Sequence, residues 1–105
     1  MLKIDQAPTF SATVTVATAA IKGDFTVEFE ALPSDELEAL DTGEPGAWKA
    51  ILQRVVRGFD AVEIAGQSID CNAVGALAQL TRWPGGGAAM LSAYYAGLWG
   101  AAAGN

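Results

Sequence analysis

The chain has 105 residues, 51% of them hydrophobic, and a formal net charge of −6 at pH 7. This length predicts one domain, and the acidic balance argues against nucleic-acid binding, which requires a basic surface. There is no histidine and Cys71 is the single cysteine, which excludes a disulfide framework, a zinc site of the usual spacing and Ser–His–Asp or Cys–His catalysis. We therefore expect no enzymatic activity, no metal and no cofactor. The first residues lack the apolar run of a signal peptide, so we expect a cytoplasmic protein.

Two alternating segments near the N-terminus predict an antiparallel β-hairpin over residues 9–30. Residues 9–16 alternate between apolar side chains and Thr or Ser, and residues 24–30 alternate between apolar side chains and Thr, Asp or Glu. The pair Lys22-Gly23 is the predicted turn between them. One face should pack on helices while the other meets water, because a lone hairpin is unstable. The predicted inward residues are Phe10, Ala12, Val14, Val16, Phe25, Val27 and Phe29.

Two helices are predicted to follow the hairpin. The first covers residues 34–42, with Ser34 as its N-cap and two acidic residues in its positive first turn. The second covers residues 47–57 and shows an apolar stripe at helical spacing, and Gly58 is its predicted stop. The predicted inward residues of the two helices are Leu37, Leu40, Trp48, Ile51, Leu52 and Val55.

The second half of the chain predicts a loop or short extended piece over residues 59–69 and then two more helices. Asp70 is placed to cap a helix over residues 71–82, and the glycines of residues 85–87 predict a flexible joint before a last helix over residues 88–102. The order of elements indicates an α+β domain, with an N-terminal antiparallel hairpin packed on four short helices. The predicted inward residues of the third helix are Val74, Leu77, Ala78 and Thr81.

The last helix is distinctive because residues 83–105 carry no charged side chain. At about 100° per residue, its bulky and its small side chains fall on opposite sides. The bulky residues are Met90, Leu91, Tyr94, Tyr95 and Leu98. The small residues, together with a nearby tryptophan, form the candidate partner-binding set Ala89, Ala93, Ala96, Trp99 and Gly100.

Three interpretations of this uncharged segment compete. It is nearly long enough for a membrane span, but alanine and glycine contribute little insertion energy. It could instead be a core helix whose small side lets a neighbouring backbone approach closely. In the third interpretation the bulky side closes the core and the small side binds a partner chain. We expect no membrane insertion, and the other two interpretations remain open at this point.

Acidic residues are concentrated in one part of the sequence. Eight of the twelve Asp and Glu residues lie between Asp24 and Glu44. Such a cluster is usually a solvated face of a strand and a helix. Its functional interpretation is an acidic surface that steers a basic partner segment toward the protein.

A series of short motifs runs through the second half of the chain. It consists of a Val-x-Gly-Phe-Asp segment, a Trp-Pro pair, an Ala-Tyr pair followed by Leu, and a final Gly-Asn. The series resembles the tail assembly chaperones of long-tailed bacteriophages and their prophages, although Trp83 stands where that family usually has tyrosine or phenylalanine. The residues that carry the resemblance are Val56, Gly58, Phe59, Asp60, Trp83, Pro84, Ala93, Tyr94, Leu98, Gly104 and Asn105.

The resemblance implies a specific role. Proteins of this family act in the bacterial host cytoplasm and are absent from the finished virion. They bind the long helical tape measure protein and keep it soluble until tail tube subunits polymerise around it. The expected partners are thus the tape measure protein, the tail tube protein and further copies of the chain. The alternative is a small structural protein of the tail or of head completion, which stays in the virion.

Overall fold

The computed structural model describes residues 1–4 and 7–100 of the chain. In these residues a three-stranded antiparallel sheet of order β1-β2-β3 packs with four helices, and β4 and β5 form a separate ribbon. The α+β class and the N-terminal hairpin are therefore as predicted. The elements are β1 (Thr9–Ala17), β2 (Lys22–Glu30), α1 (Ser34–Leu40), α2 (Ala47–Val55), β3 (Val56–Asp60), β4 (Glu63–Ile64), β5 (Gln67–Ser68), α3 (Ala76–Thr81) and α4 (Gly86–Leu98).

The hairpin has the predicted faces but a different turn. In β1 and β2, Val14, Val27 and Phe29 are almost completely buried, whereas the alternate residues are exposed, except that Glu30 at the end of β2 is buried although the alternation predicts that it faces water. The strand pairing extends to Ala17 opposite Lys22, so residues 18–21 form the turn and the prediction of a Lys22-Gly23 turn is wrong. The physical reason is the Thr18 hydroxyl, which accepts hydrogen bonds from two backbone N–H groups inside the turn.

The first helix is shorter than predicted and is capped differently. Ser34 is the first residue of α1 rather than its N-cap, and the N-cap, Pro33, makes no side-chain hydrogen bond to the helix. The helix ends at Leu40 instead of residue 42, with Asp41 as its C-cap. Leu37 is buried and Leu40 is half-buried, as the spacing predicts.

The second helix has the predicted stripe but runs directly into a strand that the sequence did not predict. Ile51, Leu52 and Val55 are buried, but α2 ends at Val55 rather than at residue 57. The prediction that Gly58 stops the helix is wrong, because it lies inside β3. The reason is tertiary: the free edge of β2 offers backbone partners, and these outweigh continuation of the helix by two residues.

The third helix is the least accurately predicted. It covers only Ala76–Thr81, because Gly75 adopts a left-handed conformation with φ of +79° directly before it. Asp70 therefore caps a turn, through the Asn72 N–H at 2.9 Å, and not a helix. Val74 is fully exposed, so its predicted inward position is wrong.

Two other positions of α3 complete this correction. Ala78, predicted to point inward, is exposed, whereas Leu77 and Thr81 are half-buried. The buried residues of the helix are Ala76 and Leu80 instead. The helix begins five residues later than predicted, at Ala76 rather than at residue 71, and it buries a pair of residues four positions apart.

The predicted glycine joint is part of the last helix. Gly85 is the N-cap, in a left-handed conformation with φ of +87°, and Gly86 and Gly87 are buried in the first turn of α4. Gly87 lies against the ring of Trp48, which occupies the space that a Cβ atom would need. Close packing, not flexibility, thus explains the glycines.

The last helix ends at Leu98, with Trp99 as its C-cap, so the predicted continuation is wrong for residues 99 and 100, where Gly100 adopts a left-handed φ of +69°. Residues 101 and 102 of the predicted helix lie outside the described residues.

A buried carboxylate ties the end of the hairpin to the following elements. Arg57 Nη1 donates a 2.7 Å hydrogen bond to Glu30 Oε1, and Arg54 Nη1 lies 3.0 Å from Glu30 Oε2. The register between β2 and β3 shifts at this point, which leaves Arg57 as the extra residue of a β-bulge. Burial opposes ionisation of the carboxyl group, but the two guanidinium groups together hold the pKa of Glu30 below its usual value of 4.5.

This lowered pKa predicts a pH dependence of stability. The ionised Glu30 stabilises the fold at pH values above its unfolded-state pKa, and this stabilisation is lost as the pH falls through the lower folded-state pKa. Glu30→Gln should therefore unfold more easily than the wild type at pH 7, with the difference shrinking below about pH 4. Urea unfolding measured between pH 7 and pH 3 checks this.

The matched control is Glu28→Gln, two residues away on the exposed face of the same strand. It should lose little stability at pH 7 and should keep the acid-dependent loss of the wild type. Equal stability profiles for Glu30→Gln and Glu28→Gln would contradict a stabilising role of the arginine contacts.

Candidate functional site

One buried tyrosine fixes the position of the helix that the sequence singled out. Tyr94 is fully buried, and its hydroxyl accepts a 3.1 Å hydrogen bond from the Leu32 N–H and donates a 3.0 Å hydrogen bond to the Glu30 carbonyl. Burial raises the pKa of this hydroxyl, which therefore stays protonated. The Tyr94 ring packs against Phe10 and Phe29, at centroid distances of 5.8 and 5.2 Å. These contacts set the rotation of α4 on the sheet.

This rotation places the predicted bulky and small faces on the two flanks of the buried stripe. The stripe consists of Gly86, Gly87, Met90 and Tyr94. On one flank Leu91, Tyr95 and Leu98 are half-buried, and on the other flank the small residues of the helix are half-buried, namely Ala89, Ala93 and Ala96. Of the bulky residues, Met90 and Tyr94 are buried, as predicted. The prediction that the helix turns its bulky side to the core and its small side away from it is wrong, because both sides lie at the edges of the buried stripe.

The predicted partner-binding residues are consequently divided by the structure. Ala89 and Ala93 pack at the margin of the core, and Ala96 is half-buried one turn further along the helix. Trp99 is 71% exposed and Gly100 is also exposed. The accessible part of the set is therefore the end of α4, and its binding role stays a prediction.

A surface groove borders this end of α4, and we call it the α1–α4 groove. Its volume is about 380 Å³. The Tyr95 and Trp99 rings stack at a centroid distance of 4.9 Å and form one wall, and buried leucines form the floor. The groove is lined by Leu32, Ser34, Leu37, Glu38, Asp41, Tyr95, Leu98 and Trp99.

The polar contact in this groove is a hydroxyl–carboxylate pair. The Tyr95 hydroxyl lies 3.4 Å from Asp41 Oδ2, a long distance for a hydrogen bond, and joins the end of α4 to the end of α1. Partial burial, together with the neighbouring Asp41 carboxylate, raises the pKa of Tyr95. The contact therefore places an acidic side chain, Asp41, at the edge of the groove beside the Tyr95 ring.

A second cleft, with a volume of about 460 Å³, lies between the turn end of the hairpin and the junction of α3 and α4. We call it the Trp83 cleft, since Trp83 lines it and is 43% exposed. Its apolar lining includes Ile21 and Ile64. The charged residues at this cleft are of both signs, namely Lys22, Asp24 and Glu63.

A metal-ligand cluster and a membrane-spanning helix are both absent from the residues that the structure describes. Among residues 1–4 and 7–100, no group of three or more Cys, Asp or Glu side chains is placed to hold a metal ion. Over the same residues, no helix is long and apolar enough to cross a membrane. Cys71 is half-buried, near Gly58 of β3.

Sequence reasoning missed most of the α1–α4 groove. Tyr95 and Leu98 were expected to face the core, and Leu32 was given no role. The available signal was the pair of adjacent tyrosines: consecutive helical positions point about 100° apart, so only one of Tyr94 and Tyr95 can point at the centre of the core, and the other lies at its margin. The acidic cluster could then have indicated which element lies across from Tyr95.

No protein-family model, no curated protein and no solved structure matches this chain. The resemblance of its motifs to tail assembly chaperones and the geometry described above are therefore the basis for a functional argument.

The Tyr94 contacts predict a specific loss of stability. Tyr94→Phe should cost about 1–3 kcal/mol of unfolding free energy, because it leaves a buried N–H and a buried carbonyl without their shared partner. Tyr95→Phe, which removes a long and partly exposed contact, should cost less than about 0.5 kcal/mol. Denaturant unfolding of the two variants checks this, and equal losses would show that the Tyr94 hydroxyl does not fix the helix.

Proposed function

We propose that this protein is a tail assembly chaperone of a bacteriophage or prophage, which binds the tape measure protein and keeps it soluble while the tail tube assembles. The resemblance of the sequence motifs supports the family. The observation that carries the binding role is the uncovered apolar end of α4, where Trp99 is 71% exposed beside half-buried Tyr95 and Leu98.

The positions of the motif residues support this proposal. Phe59 is buried in β3, and Tyr94 holds α4 on the sheet. Motif residues with these roles would preserve the frame that supports the end of α4 while allowing its outer surface to vary with the partner. Gly104 and Asn105, the last residues of the motif series, lie outside the described residues.

The proposed mechanism requires only that apolar surface of the partner is buried, and it involves no chemical reaction. A long helical protein with an apolar stripe aggregates if the stripe stays in water, and a helix bound in a groove buries part of it. Many copies would cover one tape measure protein, so contacts between copies along its axis would add to binding. Tail tube subunits would displace the chaperone as they polymerise. The protein would act in the bacterial cytoplasm and leave before the virion is complete.

Co-expression with the tape measure protein of the same phage or prophage tests the proposal. The wild type should keep the tape measure protein in the soluble fraction and should co-purify with it. Ala96→Glu places a charge beside the uncovered end of α4 and should reduce the co-purified amount about tenfold, because the carboxylate would be desolvated on binding.

Thr13→Glu, on the water-facing side of the sheet, is the control and should co-purify as the wild type does. Thermal unfolding should confirm that both variants are folded. A wild-type chain that leaves the tape measure protein insoluble would contradict the proposal. Mass spectrometry of purified virions separates it from the alternative, since a structural tail or head-completion protein would be present in stoichiometric amounts.

A further inference from the structure

We propose that the α1–α4 groove is the docking site for an amphipathic helix whose apolar residues are flanked by lysine and arginine. The inference deepens the proposed function and rests on it, since the bound helix would be a segment of the tape measure protein. To that function it adds the binding surface, which is the α1–α4 groove, and the kind of segment that binds there, which is a basic amphipathic helix.

The shape and the lining of the groove suit the apolar side of such a helix. Buried Leu32 and Leu37 form an apolar floor, and the stacked rings of Tyr95 and Trp99 form an aromatic wall. Exposed aromatic side chains of this kind supply much of the binding energy in many interfaces, since they bury a large area at a small entropic cost. One or two apolar side chains of an approaching helix would fill the groove beside Trp99.

The charges around the groove indicate which charged residues should flank the apolar side chains of the partner helix. Glu38 and Asp41 line the groove, and among the residues that the structure describes no basic side chain lines it. Asp35, Glu36 and Glu44 lie on or beside α1 and are exposed. The sequence contains neither lysine nor arginine from residue 23 to residue 48. A basic partner would therefore meet negative charge on this side of the groove without local repulsion.

The ends of the two helices add to this negative potential. The last turn of α4 ends at the groove, and the carboxyl end of a helix carries a partial negative charge. A cationic side chain usually offsets that charge, but the last turns of α1 and α4 contain none. Asp41, the C-cap of α1, even places a carboxylate at a helix end where the dipole disfavours it. A lysine or arginine of the bound helix would supply the missing positive charge.

The Trp83 cleft lacks this complementarity. It has a comparable volume and an exposed tryptophan, but Lys22 stands among its acidic residues. Its lining charges are mixed, with one lysine and two carboxylates, so they favour a basic partner less than those of the α1–α4 groove do. This makes the two exposed tryptophans a matched pair, with Trp99 in the proposed docking site and Trp83 in a control position.

The experiment uses a designed helical peptide of about five turns that carries a leucine stripe flanked by lysines, and a second peptide with the same stripe flanked by glutamates. Binding to the full chain is measured by titration calorimetry at low and at moderate salt. The Leu/Lys peptide should bind, with an affinity that falls as salt rises, and the Leu/Glu peptide should bind at least about tenfold more weakly.

Three variants locate the site, each checked for its folded state by thermal unfolding. Trp99→Ala should weaken binding of the Leu/Lys peptide about tenfold or more, whereas Trp83→Ala should leave it unchanged. The double change Glu38→Gln with Asp41→Asn should weaken binding about fivefold at low salt and should reduce its salt dependence. Unchanged binding by Trp99→Ala, or equal binding of the two peptides, would overturn the proposal.

The same variants distinguish the failure of this inference from the failure of the proposed function. If the wild type solubilises the tape measure protein and Trp99→Ala does so equally well, the docking site is wrong while the chaperone function stands. If the wild type binds the Leu/Lys peptide through Trp99 but not the tape measure protein, the groove has the stated chemistry and the chaperone function is wrong.

Discussion

The structure depends on one hydroxyl group. Tyr94 joins the end of β2 to the start of the α1 segment, because it contacts the Glu30 carbonyl and the Leu32 N–H at the same time. Leaving these groups unpaired inside the core would be costly, so the helix that carries Tyr94 has one favourable rotation and one favourable height on the sheet. The contacts of Glu30 with Arg54 and Arg57 hold the same corner from the other side, since they join β2 to α2 and β3. These contacts together limit the ways in which α2 and α4 can pack at the end of β2.

The candidate binding surface is a consequence of that constraint. Once Tyr94 points into the core, the next residue, Tyr95, must point about 100° away, toward α1. Its ring then stacks on Trp99 one turn later, and its hydroxyl reaches Asp41 at the end of α1. The two adjacent tyrosines therefore have different roles: Tyr94 anchors the helix, and Tyr95 forms part of a wall of the α1–α4 groove. The wall of the groove is therefore held by contacts within the chain itself, through the Tyr95–Trp99 stack and the contact of Tyr95 with Asp41.

Local patterns predicted the parts of the fold that local physics controls. The alternation of the hairpin gave the correct buried face, and the stripe from Ile51 to Val55 gave the correct side of α2. Sequence reasoning failed where tertiary contacts decide: β3 exists because β2 has a free edge, and the glycines of α4 are helical because Trp48 and the core occupy their side of the helix. The candidate site was only partly predictable for the same reason. Trp99 was identified, but the groove beside it needs α1 as its second side, and no spacing in the sequence places α1 there.

Hydrogen exchange of the backbone amides, measured with and without the tape measure protein that we propose as the partner, tests the central claim most directly. The claim is that Tyr94 fixes one side of α4 on the sheet and that the partner binds in the α1–α4 groove on another side of the same helix. Binding should slow exchange in α1 and in the last two turns of α4, and should leave residues 61–65, beside the Trp83 cleft, unchanged. Slower exchange at residues 61–65 with no change in α1 or at the end of α4 would contradict the account.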